Sequence, residues 1–135
     1  MKKRTLAWVG LIAVVIHALS NIAHGVAHFD LRIQLAGWQM TFIALAMGAA
    51  PLVAAILLWT SRFLLAARML AVSMAASLLF GMYYHYIAVS PDHVAHLPAG
   101  DEQGLFRFTA LLLVISQALG VAVGIWGSLR HDKVS

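Results

Sequence analysis

The chain has 135 residues, 62% of them hydrophobic and only 10% charged, with a formal net charge of +4 and a mean hydropathy of +0.88. That apolar content excludes an ordinary soluble domain and a disordered chain. The absence of cysteine excludes disulfides, thiolate metal sites and thiol redox chemistry.

Four apolar runs, residues 6–28, 37–59, 64–89 and 105–128, each reach the ~20 residues that a helix needs to cross hydrocarbon. The connections, Phe29 to Ala36, Thr60 to Phe63 and Ser90 to Gly104, are short enough to make consecutive helices antiparallel neighbours. The expected fold is therefore an all-α integral membrane protein. It is a single membrane domain over residues 1–135, an up-down-up-down bundle of four transmembrane helices.

Lys and Arg are retained on the cytoplasmic side of membrane ends. Lys2, Lys3, Arg4, Arg62, Arg68, Arg130 and Lys133 fall on one side, and Arg32 and Arg107 on the other. Both termini are thus expected in the cytoplasm. Asp30, Asp92, Asp101 and Glu102 then face outward and Asp132 inward. The basic balance reflects this topology and the anionic inner leaflet, not nucleic-acid binding. Trp8, Trp59 and Trp126 mark one interface, and Trp38, Tyr83, Tyr84 and Tyr86 the other. The expected location is a bacterial inner membrane.

The first run opens on MKKR and passes through ALS, the pattern of a signal peptide cleaved after Ser20. Cleavage would leave three helices, but apolar character continues from Val26 to Phe29, which favours a retained first helix. Within it lies HALSNIAHGVAH, residues 17–28. On a helix His17, Asn21, His24 and His28 project at about 0°, 40°, −20° and 20°, one narrow stripe. A polar stripe in hydrocarbon turns inward and finds partners. His24 and His28 sit about 10 and 16 Å outward of His17, which is near the bilayer centre. Asn21 is read as interhelical glue, and His17 either as a weaker ligand or as a hydrogen bond to Ser116 or Thr109.

In the second run Pro51 removes an N–H and kinks the helix unless neighbours take the freed carbonyl. The third ends in FGMYYHY, where His85 comes out about 13 Å outward, between the depths of His24 and His28. The next loop, SPDHVAHLPAGDEQG, holds His93 and His96 at i, i+3 spacing. Pro91 and Pro98 are suited to start and stop a short helix over residues 91–98. Folded back over the bundle mouth, that helix would bring both imidazoles toward His24, His28 and His85. Asp92 is a weaker ligand candidate, or orients a ligand histidine through its second nitrogen. In the fourth run Thr109, Ser116 and Gly120 share a face and read as a packing seam. Gly120 and Gly124 form a GxxxG that marks either bundle packing or a homodimer face. His131 belongs to the cytoplasmic tail.

Imidazole offers a neutral nitrogen ligand without burying negative charge. The candidate metal set is His24, His28, His85, His93 and His96, with His17 and Asp92 weaker. Nitrogen ligands without glutamate in the helices suit copper, iron or zinc. The leading expectation is a membrane metalloprotein with its site toward the outer face, redox or oxygen-activating, a metal-dependent oxidoreductase if it is an enzyme. A second reading is a b-type haem carrier exchanging electrons with quinol. Here His24 or His28 pairs with His85 as axial ligands, and Gly25 and Gly81 make room for the porphyrin. A third is a small non-catalytic subunit or assembly factor of a larger membrane complex. The expected partners are the lipid bilayer, a quinone or other hydrophobic substrate, and a homo-oligomer or larger complex, with no nucleic acid.

Overall fold

The computed structural model describes residues 3–131, and Lys2, Asp132, Lys133 and the side chain of His131, all used in the charge reading or the tail assignment, lie outside the described residues. The four apolar runs are four helices: α1 (Lys3–Asp30), α2 (Gly37–Leu57), α3 (Phe63–Ile87) and α4 (Gln103–His131). No strand occurs among the described residues. All four are long and apolar enough to cross a membrane. Large apolar side chains such as Leu19, Ile22, Ile56, Val72 and Leu79 point out of the bundle and are more than 60% exposed. A soluble surface avoids such an array, whereas a lipid-facing one requires it.

The start of α1, the end of α2, the start of α3 and the end of α4 meet in one core. It is built on Leu6, Ala54, Leu58, Phe63, Leu70 and Val123. We call this the terminal end and the opposite one the distal end. Trp8 and Trp59 meet edge to face at 4.9 Å here, and Arg130 covers the Trp126 ring. Successive helices therefore run in alternating directions.

Glycines set the closest approach. A Cβ on Gly124 would stand 2.6 Å from the Ala71 nitrogen and 2.7 Å from the Ala67 oxygen, and one on Gly120 would meet the Met74 side chain at 2.6 Å. The GxxxG is thus spent on α3–α4 packing inside the bundle, the small-residue device that lets backbones touch.

Two helices leave the regular α ladder. In α2 a π-helical stretch covers Ile43–Ala49, just before Pro51. Pro51 has no N–H to offer the Met47 carbonyl four residues back. That oxygen instead accepts a hydrogen bond from His17 Nε2 of α1 at 2.9 Å, so a neighbouring helix takes up the carbonyl that the proline frees. In α3 a second π stretch, Tyr83–Ile87, carries His85. Such bulges re-aim the residues beyond them and recur at functional sites.

At the distal end α1 stops in a Schellman motif. Ile33 N–H reaches the His28 carbonyl, Arg32 N–H reaches Phe29, both at 3.0 Å, and Arg32 takes the left-handed conformation at φ 54°. The turn sends Leu31 and Ile33 into a second core with Ala27 and Phe106. Residues 91–98 form successive turns, not the short helix that Pro91 and Pro98 suggested. His93 N–H bonds to Ser90 O and His96 N–H to His93 O, while Val94 N–H reaches back to the His85 carbonyl. Arg107 Nε donates to Val94 O at 3.0 Å, and Gln103 Nε2 to Pro98 O at 2.8 Å. These ties bind the loop to α3 and α4 and override the local helical preference.

Candidate metal centre

His24 and His28 lie one turn apart on the inward face of α1, and the π stretch of α3 brings His85 against them. One nitrogen from each of the three lies within 4.8 Å of the others. His24 and His85 are buried, and His28 is nearly so. Phe106 of α4 packs on all three rings, with centroids at 4.4, 5.0 and 5.4 Å. Three buried or nearly buried imidazoles from two helices, sealed on one side by an aromatic ring, could hold a metal ion.

The hydrogen bonds fix which nitrogen of each ring is free. Thr109 Oγ1 donates to the Leu105 carbonyl at 2.7 Å, so it accepts from His24 Nδ1 at 2.9 Å, and His24 Nε2 keeps its lone pair. His85 Nδ1 faces only acceptors, the Asp92 carbonyl at 3.0 Å and Asp92 Oδ1 at 3.4 Å, so it too carries its proton there. His28 Nε2 stands 2.9 Å from Asp92 Oδ1, which leaves its buried Nδ1 without a hydrogen-bond partner. Each ring thus turns one nitrogen to an oxygen and leaves the other for a ligand, the arrangement of metal-ligating histidines. His24 Nε2 and His85 Nε2 stand 3.2 Å apart. Two acceptor nitrogens at that distance repel unless a cation, metal or proton, lies between them.

Asp92 serves two of the three rings although it belongs to the loop. Its Oδ1 lies against both rings, 2.9 Å from His28 Nε2 and 3.4 Å from His85 Nδ1. Burial pushes its carboxyl toward the neutral acid, but His28 and then His85 outweigh burial and hold it below the usual carboxylate range. A single carboxylate so placed aligns both imidazoles.

The other sequence candidates stand elsewhere. His93 and His96 are outside the cluster and pair with each other, Nδ1 to Nδ1 at 3.3 Å, on the outer surface of the loop. His17 is fully buried and bridges helices, bonding the Met47 carbonyl on α2 and lying 3.4 Å from Ser116 Oγ on α4. It therefore performs the interhelical role that its position near mid-helix suggested. Asn21 lines a cavity and makes no interhelical hydrogen bond among the described residues. Met40 and Met47 line the same cavity.

That cavity, about 340 Å³, opens beside His24, His28 and His85 and is walled mostly by apolar side chains. It also holds Gln117 of α4, a residue that stripe and depth arguments passed over. Gln117 is 1% exposed, and neither its Nε2 nor its Oε1 has a hydrogen-bond partner. The signal was present in the sequence as one carboxamide in the apolar run LLLVISQALG, where a polar side chain at membrane depth marks a site. Comparison with protein-family models, curated proteins and solved structures gave no match for this chain.

Proposed function

We propose that this chain is a membrane metalloprotein in which His24, His28 and His85 hold one transition-metal ion at the distal end of the bundle. The observation that carries the reading is that one nitrogen from each of the three imidazoles lies within 4.8 Å of the others, while each ring also has a nitrogen turned to an oxygen. A tetrahedral ion with ~2.0 Å metal–nitrogen bonds separates its nitrogens by about 3.3 Å, close to the 3.2 Å between His24 and His85. The wider pairs, at up to 4.8 Å, need to contract by up to about 1.5 Å around such an ion.

Three protein nitrogens leave a coordination position open, the arrangement of catalytic rather than structural sites, and here the open side adjoins an apolar cavity. Zinc, copper and iron all suit imidazole ligands. With copper or iron the centre is redox or oxygen-activating. The lysines and arginines concentrated at the terminal end favour a cytoplasmic location for that end, with the metal centre on the extracytoplasmic side of the membrane. A bis-histidine haem draws less support. At 3.2 Å the two Nε2 atoms are nearer each other than ligands on opposite faces of a porphyrin can stand.

Metal analysis and an optical spectrum on one detergent-purified sample test the reading. About one equivalent of a transition metal is expected, lost in His24→Ala and His85→Ala. Protein that carries none and takes up neither zinc, copper nor iron refutes it. A Soret band after growth with haem would replace it with the haem reading.

A further inference from the structure

We infer that the cavity beside the histidines is a binding site for the ring of a quinone or quinol dissolved in the membrane, with Gln117 as the residue that recognises one of its oxygens. This inference rests on the metal-centre reading for what meets the other end of the ring, but Gln117 and the cavity stand without it.

The first ground is the amide itself. A buried carboxamide with neither end paired is costly, and an exception of this kind in a folded interior calls for a partner. Gln117 points into the cavity next to Gly81. A Cβ at Gly81 would stand 3.8 Å from both Gln117 Oε1 and His85 Cδ2, so the amide and the imidazole both border the space that the glycine leaves. The amide donates through Nε2 and accepts through Oε1. It can therefore bond a ring oxygen in both redox states, as C=O by donating and as O–H by accepting.

The second ground is shape. Between the amide and the histidines the walls are apolar, with Ile43, Phe80, Leu113 and Val114 among them, and Phe80 is held by a stacked Phe42 at 4.7 Å. At about 340 Å³ the cavity is at the small end of ligand sites. It suits a single ring and is too small for a whole phospholipid. Polar groups at the amide and at the histidines match a ring that carries more than one oxygen better than a straight-chain alcohol, which has only one.

The third ground is access. α1 packs on α2 along Ala50–Leu57 but only weakly along the distal half, Gly37–Ala49. Both helices still line the cavity there, through Gly25 and Met40. A Cβ on Gly25 would meet nothing within 4 Å, and Met40 is 55% exposed. The wall is thus open between α1 and α2 on the lipid-facing side, a route for a ligand already in the bilayer.

Calorimetric titration of the full chain in detergent tests this, with decyl-benzoquinone as the probe and decanol as the control, on metal-free and metal-loaded protein. Saturable binding of the quinone, with decanol unable to compete, is expected. Gln117→Leu should weaken it tenfold or more without lowering the unfolding temperature, since the substitution removes two unpaired polar groups. Gly81→Ala, whose added methyl makes only ordinary contacts, should weaken binding similarly by filling the space that Gln117 and His85 border. Wild-type affinity in both variants, or binding of decanol in preference to the quinone, overturns the inference. Stoichiometric metal without quinone binding removes this inference alone, whereas Gln117-dependent binding in a chain that takes up no metal removes the metal reading alone.

Discussion

Thr109→Val is the sharpest probe of the histidine arrangement, because it touches no proposed ligand. Thr109 is 2% exposed, and its hydroxyl is held by the Leu105 carbonyl so that it can only accept from His24 Nδ1, 2.9 Å away. Valine preserves the branched shape and deletes that acceptor. The His24 ring then either keeps a buried N–H unpaired, costing about 1–3 kcal/mol, or moves its proton to Nε2, which removes the lone pair from the cluster. A metal-bound ring cannot use the second escape, so the loss appears in affinity. Removing a hydrogen-bond partner behind a ligand histidine weakens metal binding roughly 10- to 100-fold, about 1.4–2.7 kcal/mol. The Phe106 carbonyl also borders the His24 ring and offers a poorer acceptor, which sets the expectation near tenfold. Competition against a chromophoric chelator at fixed pH measures the change, and Thr109→Ser should restore wild-type affinity. Unchanged affinity in the valine variant, with His24→Ala still abolishing binding, would refute the tautomer argument while sparing the ligand assignment.

Asp92→Asn should weaken metal binding by about 10-fold or more, because the carboxylate aligns both His28 and His85. Asp92 has a depressed carboxyl, so its contribution to stability is full above about pH 4 and lost as the pH falls from there toward its folded value. An acid-unfolding midpoint equal in wild type and Asp92→Asn would contradict this. Gly124→Ala forces a methyl against the Ala67 and Ala71 backbone and should cost about 1–3 kcal/mol or more, read as a lower unfolding temperature. Gly25→Ala, in open space, should not lower it. His17→Leu strips the Met47 carbonyl of its donor and should cost about 1–3 kcal/mol, markedly less in a Pro51→Ala background where the backbone N–H returns. Strict additivity in that double-mutant cycle would show the two residues to be uncoupled, and metal uptake by His17→Leu should match the wild type.

How far the sequence carried follows from which geometries are fixed in advance. Helix rise and rotation are constants, so one face for His24 and His28 and a matching depth for His85 could be computed from residue numbers alone. The packing of Thr109, Ser116, Gly120 and Gly124 followed from small residues at helical spacing. The loop resisted because its shape is set by distant partners. Val94 is held by His85 and Arg107, which belong to two different helices, and these ties turn Asp92 inward and His93 and His96 away. No local pattern encodes that choice, and HxxH between prolines pointed to a pair that stands outside the cluster. Gln117 was missed for another reason. It lies about 100° around α4 from Ser116, off the small-residue face of the packing seam and on the cavity wall.

The same physics explains why a cavity exists at all in so small a bundle. Pro51 denies Met47 its helical partner, and the ladder before it relaxes into the Ile43–Ala49 π stretch. His17 bonds that carbonyl at 2.9 Å, which ties α1 to α2 at this level. Below it the two helices pack along Ala50–Leu57, and above it they separate. A straight α2 would let apolar side chains close over Asn21 and Gly25 and bury the histidines in a solid core. On this account His17 and the histidine cluster have different tasks within one stripe. His17 anchors the point from which α2 diverges, and His24 and His28 occupy the space that the divergence leaves accessible. Pro51→Ala should therefore do more than relieve His17. By straightening α2 it should shrink the cavity, so that quinone binding weakens while metal binding, which depends on α1, α3 and the loop, is retained. Loss of both together would mean that α2 supports the metal cluster directly and that His17 and the cluster do not have separate tasks.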